Sequence, residues 1–276
     1  MTHSIAIHGS SLDSYADCPR RQVANSYAGM LKGAGYEVKE TVRYITPLVG
    51  SAIHAGADWL NQDKIRTGLE PTVDVIRAAC EHSFDKLQQM YAKDLESHDV
   101  KFTIKFSNFD IIRAHIDEYV LLYATQILPQ RQLQETEKHF HHQLNEQYHF
   151  KSTLDSYGHG TLYDLKTGQV IQKAYHQIGI YTYLLQTIGY EVNKAQLDYI
   201  IRKKEGNPPE HVIVTYNPQE CMVMAQYATA RLMQDLNEFQ QTQDINVLAI
   251  NPRSESCNSL FCPLFNTTSC SGWKKQ

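Results

Sequence analysis

The segment TLDSYGHGTLYDLKTG, residues 153–168, is the stretch that decides the fold of this chain. It predicts two β-strands joined by a tight turn, because Gly158 and Gly160 can supply the positive φ angles that such a turn requires. Side chains on a strand alternate between its two faces, so Asp164 and Lys166 lie on one face.

The position of Asp155 depends on the length of the turn. A two-residue turn at Gly158 and His159, or a four-residue turn over residues 157–160, pairs Asp155 with Leu162 and brings it to the face of the other two charged residues. A three-residue loop without a bulge would place Asp155 on the opposite face. We therefore expect an even-numbered loop.

Two carboxylates and a lysine on one face are suited to phosphodiester hydrolysis. The carboxylates can bind a divalent cation, and the lysine can activate a water molecule beside it. Taken alone the pattern is weak, because Asp and Lys are common near turns. A solvated, charged hairpin is the alternative interpretation.

The composition is that of an ordinary globular protein. The 276 residues are 42% hydrophobic and 20% charged, enough for a sizeable core, and no apolar run approaches the ~20 residues of a membrane span. The N-terminus lacks the basic and apolar regions of a secretory signal, so we expect a cytoplasmic protein without membrane association.

The net charge of -4 argues against indiscriminate coating of nucleic acid. A local basic groove with bound cations could still hold phosphates. The candidate groove residues are Arg20, Arg21, Arg202, Lys203 and Lys204, and each of them could equally be a solvated surface charge.

Periodicity predicts a largely helical first half and a mixed second half, hence an α/β core. The predicted helices cover residues 11–32, with Ser11 as N-cap, 50–64, 71–95, 109–128, 172–187 and 218–240. The predicted extended segments cover residues 131–142, 147–157, 160–166, 195–202 and 211–216, with a turn at 206–209.

Several motifs follow one another in a fixed order. They are SLDSYADCPRR at residues 11–21, GSAIHAG at 50–56, DLKTG at 164–168, Gln177 with Tyr181, and a C-terminal group of cysteines. The order resembles the RecB-like branch of the PD-(D/E)XK nucleases, which includes AddB-type proteins, CRISPR-associated RecB-like exonucleases and phage exonucleases. The resemblance extends from Ser11 to Cys270.

The resemblance implies a restriction-endonuclease-like fold, a mixed β-sheet flanked by helices. It implies one nuclease domain over residues 1–276: a helical part at 1–130, a catalytic α/β core at 131–245, and a cysteine-rich tail at 246–276 that packs on the first helix.

The same resemblance assigns roles to the hairpin and to a histidine. His54, Asp155, Asp164 and the backbone carbonyl of Leu165 would bind one or two Mg²⁺ or Mn²⁺ ions, and His54 would favour Mn²⁺ somewhat. Lys166 would orient or deprotonate the attacking water.

Further residues complete the implied site. Gln177 and Tyr181 lie one helical turn apart and would position catalytic groups or DNA, although Tyr181 could simply be a core residue. The family often has a glutamate one strand upstream, and Glu137 is preferred to Glu135. His139, His141 and His142 indicate an exposed polar strand, with a metal cluster as the alternative.

Six cysteines are present, of which Cys80 and Cys221 are expected to be structural. The resemblance implies that the other four hold a 4Fe–4S cluster, although their spacing differs from the tighter C-x2-C-x5-C of many members. Zinc is the second interpretation and free thiols the third; a cytoplasmic setting disfavours disulfides. These four are Cys18, Cys257, Cys262 and Cys270.

The expected function is that of a metal-dependent DNA exonuclease acting on single strands or duplex ends, in recombination, repair or phage DNA processing. No nucleotide-binding G-x-x-x-x-G-K-[ST] motif is present, so a helicase or recombination partner would be a separate chain. The alternatives are an endonuclease, a nuclease-like protein that binds DNA or a partner without cutting, and a nuclease that cuts RNA.

Overall fold

The structure is a computed structural model that describes residues 4–96, 100–103, 105–168, 171, 173–201 and 208–270. In these residues a mixed β-sheet is flanked by helices on both faces, which confirms the predicted α/β fold. None of the helices described is long and apolar enough to cross a membrane.

The sheet contains six strands. They are β1 (Ile5–Ile7), β4 (Glu135–Gln143), β5 (Tyr148–Gly158), β6 (Thr161–Gly168), β7 (Lys194–Ile201) and β8 (Glu210–Tyr216); the remaining two, β2 (Arg43–Tyr44) and β3 (Val100–Lys101), form a small separate pair. The order is β1-β5-β6-β7-β8, and β4 also pairs with β5. The β6–β7 pair is parallel, whereas β4–β5, β5–β6 and β7–β8 are antiparallel.

Two hydrophobic cores lie against the sheet. One contains residues of α1 (Gly9–Asp17), α7 (Tyr175–Thr187) and α8 (Pro218–Thr242) together with Leu197 of the sheet. The other contains residues of α4 (Ile45–Thr67), α5 (Val73–Leu95) and α6 (Phe109–Leu122) together with Leu165. Strands β6 and β7 therefore lie between the two cores.

The prediction of one helix over residues 11–32 was wrong. The chain instead forms α1, α2 (Pro19–Ser26) and α3 (Ala28–Gly33). Cys18 is extended with φ −151° and ψ 99°, because the proline that follows disfavours a helical conformation there. The N-cap is His8 rather than Ser11, whose hydroxyl donates to the His8 carbonyl.

The other predicted elements are present with shifted ends. Helix α4 is longer than predicted on both sides and ends at the left-handed Gly68. Helix α6 ends at Leu122 and continues as a π-helical turn to Ile127. Part of the predicted turn at 206–209 lies outside the described residues. Residue 172, where the helix corresponding to α7 was expected to begin, also lies outside them.

Candidate active site

The hairpin between β5 and β6 has an even-numbered loop, as expected, but its turn is one residue later. The turn residues are His159 and Gly160, with φ of 47° and 78°, and Gly158 pairs with Thr161. The expected pairing of Asp155 with Leu162 was therefore wrong, because Tyr157 pairs with Leu162. Continuing this register brings Asp155 opposite Asp164.

Strands β5 and β6 separate at these aspartates. The last pair of their ladder is Ser156 with Tyr163, and β6 continues alongside β7. Beyond the fork the backbone N–H of Leu165 donates to Asp155 Oδ2 at 2.8 Å. The fork therefore leaves room for two acidic side chains, and a backbone donor holds one of them.

Asp164 and Lys166 are connected through Gln177 of α7. Lys166 Nζ lies 2.7 Å from Asp164 Oδ2 and donates to Gln177 Oε1 at 2.8 Å. The amide nitrogen of Gln177 contacts Asp164 Oδ1 at 3.3 Å and Tyr181 Oη at 2.9 Å. The Tyr181 hydroxyl donates to the Thr153 carbonyl at 2.7 Å. Four of the predicted catalytic residues thus form one network.

His54 reaches the same site from α4. Its Nδ1 lies 3.3 Å from Asp155 Oδ2. Helix α4 can come this close because Gly50 has no side chain; a Cβ at that position would lie 3.2 Å from Thr167 Oγ1 of β6. Gly50 therefore allows α4 to lie close to the hairpin, whereas Gly56 faces Ser83 of α5.

Asp13 supports the site from α1, although the sequence pattern did not indicate it. Its two carboxylate oxygens accept from the backbone N–H groups of His176 and Gln177, each at 3.1 Å, and Oδ1 also contacts His176 Nδ1 at 2.8 Å. Since the N-cap residue of α7, Ala174, offers no side-chain cap, Asp13 takes this role. It thereby fixes the first turn of α7, which contains Gln177.

Glu137 lies in the same cleft, opposite Asp155 in the β4–β5 register. Its φ is 44°, in the left-handed region that few non-glycine residues adopt. Burial and the neighbouring carboxylates of Asp155 and Asp58 raise its pKa to about 7. Glu135, the less favoured candidate, instead bonds Tyr190 and lies 3.0 Å from Lys138 Nζ.

Asp58 is a further carboxylate that the sequence analysis did not select. It follows His54 by one turn of α4, and its oxygens accept from Thr136 Oγ1 at 2.7 Å and Gln62 Nε2 at 2.6 Å. Burial raises its pKa, and the charge of Asp155 adds to that effect. The four-residue spacing from His54 is the signal that could have placed it on the same helical face.

The two hairpin aspartates titrate differently. Burial and the charge of Asp155 raise the pKa of Asp164 to about 6, even though Lys166 opposes the shift. Burial alone would also raise the pKa of Asp155, but His54 and Lys166 outweigh it and the pKa is lowered. Asp164 is the more enclosed, with 1% of its side chain exposed.

The donor set fits a hard divalent cation. Asp164 Oδ2 is buried with the Lys166 ammonium 2.7 Å away, and carboxylate oxygens are the ligands that Mg²⁺ and Mn²⁺ prefer. Among the described residues, no three His, Cys, Asp or Glu side chains are already arranged around a metal position. A cation bound to these carboxylates would lie beside His54, next to Asp155, and beside Lys166, next to Asp164.

A cleft of about 950 Å³ opens over this network, which we call the catalytic cleft. Its walls come from α4, α5, β4 and β6, and include Gly50, His54, Asp58, His82, Lys86, Glu137 and Lys166. The cleft is large enough for an extended polymeric substrate and contains both signs of charge.

The structure contradicts the prediction that Arg20 and Arg21 line a DNA groove. Both are buried, and Arg20 donates to the carbonyls of Leu248 and Ser269 at 2.9 and 2.8 Å. Arg21 lies 2.9 Å from Asp17 and donates to Ser254 at 2.7 Å. They anchor the C-terminal tail to the first helices. Arg202, Lys203 and Lys204 lie outside the described residues.

The four cysteines of the predicted cluster line one small cavity of about 20 Å³. Burial raises the pKa of the Cys262 and Cys270 thiols, and the nearby sulfurs of Cys18 and Cys257 add to the shift. All four are free thiols. The four side chains therefore line one cavity between the start of the chain and its C-terminal segment, although they are not arranged around a metal position. Cys80 and Cys221 are buried elsewhere.

The histidines of β4 contact other residues of the protein. His139 Nδ1 lies 2.8 Å from Thr153 Oγ1, His141 stacks on His149 with ring centroids 4.3 Å apart, and His142 Nε2 lies 3.1 Å from Tyr183 Oη. These contacts agree with the interpretation of a polar strand rather than of a metal cluster.

The model of the PD-(D/E)XK nuclease superfamily matches residues 9–264. No curated protein matches the sequence at a significant level. Among solved structures, a protein from Eubacterium rectale described as a "Putative exonuclease" is similar with 15% identity and a TM-score of 0.41, over 60% of this chain and 68% of that one.

A second solved structure, of the protein SSO0001, is similar with 16% identity and a TM-score of 0.31, over 78% of this chain and 87% of that one. The superfamily match covers most of the chain, including the forked hairpin, His54 and Gln177. The chain therefore belongs to the PD-(D/E)XK nuclease superfamily.

Proposed function

We propose that this protein is a divalent-metal-dependent deoxyribonuclease that acts as an exonuclease. The observation that supports this most directly is the convergence of Asp155, Asp164, Lys166 and His54 at the fork of one hairpin, beneath an open cleft. A protein that only binds DNA has no need of two carboxylates, one at a raised pKa, beside an ammonium.

In this proposal Asp155 and Asp164 hold one or two Mg²⁺ or Mn²⁺ ions, with His54 and the carbonyl of Leu165 as further ligands. The bound cation would polarise the phosphate and lower the pKa of a water nucleophile. Glu137, whose pKa is about 7, is available to accept a proton in the same cleft.

Lys166 would orient the attacking water and neutralise phosphate charge. The charges of Asp164 and Asp155 outweigh the effect of burial and raise its pKa, so the ammonium form is the resting state. Gln177 holds Lys166 and Asp164 in a fixed relation, and Tyr181 holds Gln177. These two residues act by positioning the groups that contact the substrate.

We further propose that Cys18, Cys257, Cys262 and Cys270 hold a 4Fe–4S cluster, with zinc as the alternative. Their convergence on one cavity and their free thiols support this. The bound group would have a structural role, because it would join the tail to the first helix within a single nuclease domain of 276 residues. Metal content, acid-labile sulfide and visible absorption of protein purified without oxygen would distinguish the two metals.

The biological setting we propose is recombination, repair or phage DNA processing, with a helicase or recombination protein as a separate partner. The exonuclease mode is favoured by the sequence resemblance, since the family includes RecB-like exonucleases. The first experiment is cleavage of end-labelled linear DNA and of closed circular DNA with Mn²⁺ or Mg²⁺. We expect linear DNA to be shortened from its ends and circular DNA to stay intact.

The variants Asp164→Asn and Lys166→Ala should abolish cleavage, since they remove a metal ligand and the ammonium beside it. Lys151→Ala, which removes an exposed lysine from β5, is the matched control and should retain full activity. Cutting of circular DNA would support an endonuclease instead. A folded wild-type protein that binds DNA but cuts neither DNA nor RNA with any divalent cation would support the binding-protein alternative.

A further inference from the structure

A second groove lies beside the catalytic cleft at the start of α4. This side groove, of about 730 Å³, is lined by Arg43, Thr46, Pro47, Asp94, Leu260 and Phe261 among others. Thr46 and Pro47 also line the catalytic cleft, so the two spaces are adjacent. Thr46 precedes His54 by eight residues of α4, which is about 12 Å along the helix axis.

The side groove ends at an unusual feature of the tail. Phe261 and Leu260 have 55% and 44% of their surface exposed, although both are large apolar residues. Their neighbourhood is anchored, because the backbone N–H of Lys39 donates to the Pro263 carbonyl at 2.9 Å and Cys262 donates to the Asn258 carbonyl at 3.0 Å. An exposed ring is therefore held beside the groove.

A third cleft also meets α4 near Thr46, but its phenylalanine and tyrosine rings are not accessible. Phe106 and Tyr119 line it and are 4% and 1% exposed. Neither ring can offer a face to a ligand, so the side groove with Phe261 is the better continuation of the catalytic cleft.

Cationic side chains that could contact a phosphate backbone lie along this path, beside the carboxylates of Asp58, Glu137 and Asp94. Lys86 and Lys166 line the catalytic cleft, and Arg43 lines the side groove. Arg43 is half-exposed and its contact with Asp94 is long, at 3.4 Å, so its guanidinium can turn towards another anion. Bases that are already paired in a duplex stack on one another, whereas an unpaired base has free faces for an aromatic ring.

We propose that a single strand of DNA leaves the catalytic cleft past Thr46 and Pro47 and lies in the side groove, with one unpaired base stacked on Phe261 and phosphates near Arg43. This proposal rests on the proposed nuclease function. The choice of DNA as the ligand, and its path from the catalytic cleft into the side groove, both require that the strand is cut at Asp155 and Asp164. Because of the side groove, the enzyme would prefer single-stranded DNA to duplex DNA, provided that the strand is at least a few nucleotides long.

The test is the affinity of the full-length protein for an oligothymidylate of about twelve nucleotides, compared with a blunt duplex of the same length. Fluorescence anisotropy in the Asp164→Asn background prevents cleavage during the measurement. We expect Phe261→Ala to weaken binding of the single strand about tenfold, which is the typical loss of one base-stacking contact. Binding of the duplex should not change.

Two control variants separate stacking from damage to the tail. Phe261→Trp keeps an aromatic face and should restore affinity, whereas Tyr227→Ala removes a ring that is 78% exposed on α8 and should have no effect. Thermal unfolding of Phe261→Ala should match that of the parent protein. The proposal fails if this variant binds the single strand normally, or if binding of both DNAs falls equally.

The outcome is separable from that of the proposed function. If the wild type cuts DNA but Phe261→Ala binds the single strand normally, the side groove is not part of the substrate path and the nuclease proposal stands. If no DNA is cut but the selective loss of affinity is observed, the nuclease proposal fails and the groove remains a binding site for single strands.

Discussion

At the scale of single residues, Gln177 connects the groups of the candidate active site. Its amide oxygen accepts from Lys166, and its amide nitrogen faces Asp164 and Tyr181. A neutral amide can do this because it offers a donor and an acceptor at once, which neither a carboxylate nor an ammonium can.

We predict that Gln177→Ala lowers the cleavage rate about 10–100-fold, in the range found when groups that support metal ligands are removed. The cause is a less fixed Lys166, so substrate affinity should change less than the turnover rate. Gln186→Ala alters the same residue type at an exposed position of α7 and should match the wild type. Equal activity of the two variants would mean that Gln177 has no positioning role.

The sequence indicated most residues of the site because their chemistry is local. Asp164 and Lys166 alternate on one strand, and Gln177 lies one turn before Tyr181. The sequence could not indicate that Arg20 is a buried anchor, because its acceptors are backbone carbonyls more than 200 positions away. An arginine in a basic pair is by itself equally compatible with a groove and with a buried anchor.

At the scale of elements, the N-terminus of α7 is capped by the carboxylate of Asp13, which belongs to α1. We predict that Asp13→Ala destabilises the protein by about 1 kcal/mol, as loss of a cap does, and also slows cleavage because Gln177 lies in the first turn. Asp110→Ala removes an exposed acidic residue from the first turn of α6 and should leave cleavage unchanged. Urea unfolding and initial cleavage rates measure the two effects separately.

The packing of α7 on α8 depends on Gly179. A Cβ there would lie 2.1 Å from the Cys221 carbonyl oxygen and 2.6 Å from Ala225 Cβ, so the helices would have to move apart. We predict that Gly179→Ala lowers the free energy of unfolding by about 3 kcal/mol, the upper end of the usual overpacking range. Gly29→Ala, in α3 with open space around it, should be neutral or stabilising.

The positions of the two glycines in the hairpin do not determine which of them forms the turn. Both Gly158 and Gly160 could have formed the turn, and only the structure shows that Gly160 does. Gly158 is needed for a different reason, since a Cβ there would lie 1.6 Å from the Gln132 carbonyl oxygen. That contact comes from a separate segment, so no local pattern could have indicated the shift of one residue.

At the scale of the whole molecule, a buried ion pair lies in the middle of the sheet. Asp198 of β7 and Arg131 are 0% and 1% exposed and lie 2.5 Å apart, and His211 of β8 lies 2.7 Å from the same carboxylate. Arg131 also donates to Ser156 of β5 at 3.2 Å. The pair thus connects β5, β7 and β8 behind the fork that holds Asp155.

We predict that Asp198→Ala costs about 3–5 kcal/mol of unfolding free energy at neutral pH, because it leaves the Arg131 charge buried without its partner. Asp74→Ala breaks an exposed pair with Arg77 and should cost less than about 1 kcal/mol. Replacing both buried partners, as Arg131→Met with Asp198→Leu, should recover much of the loss, since neither charge of this pair then stays in the interior.

The same pair predicts how stability depends on pH. Burial would raise the pKa of Asp198, but His211 and Arg131 outweigh it and lower the pKa below the unfolded value of about 3.9. As the pH falls, the unfolded chain takes up this proton first, so the stabilisation is complete near neutral pH and is lost as the pH falls through the folded pKa. Urea unfolding at about pH 7 and about pH 3 should therefore show a smaller loss for the double variant than for the wild type. An equal loss in both would assign the acid sensitivity to other carboxylates.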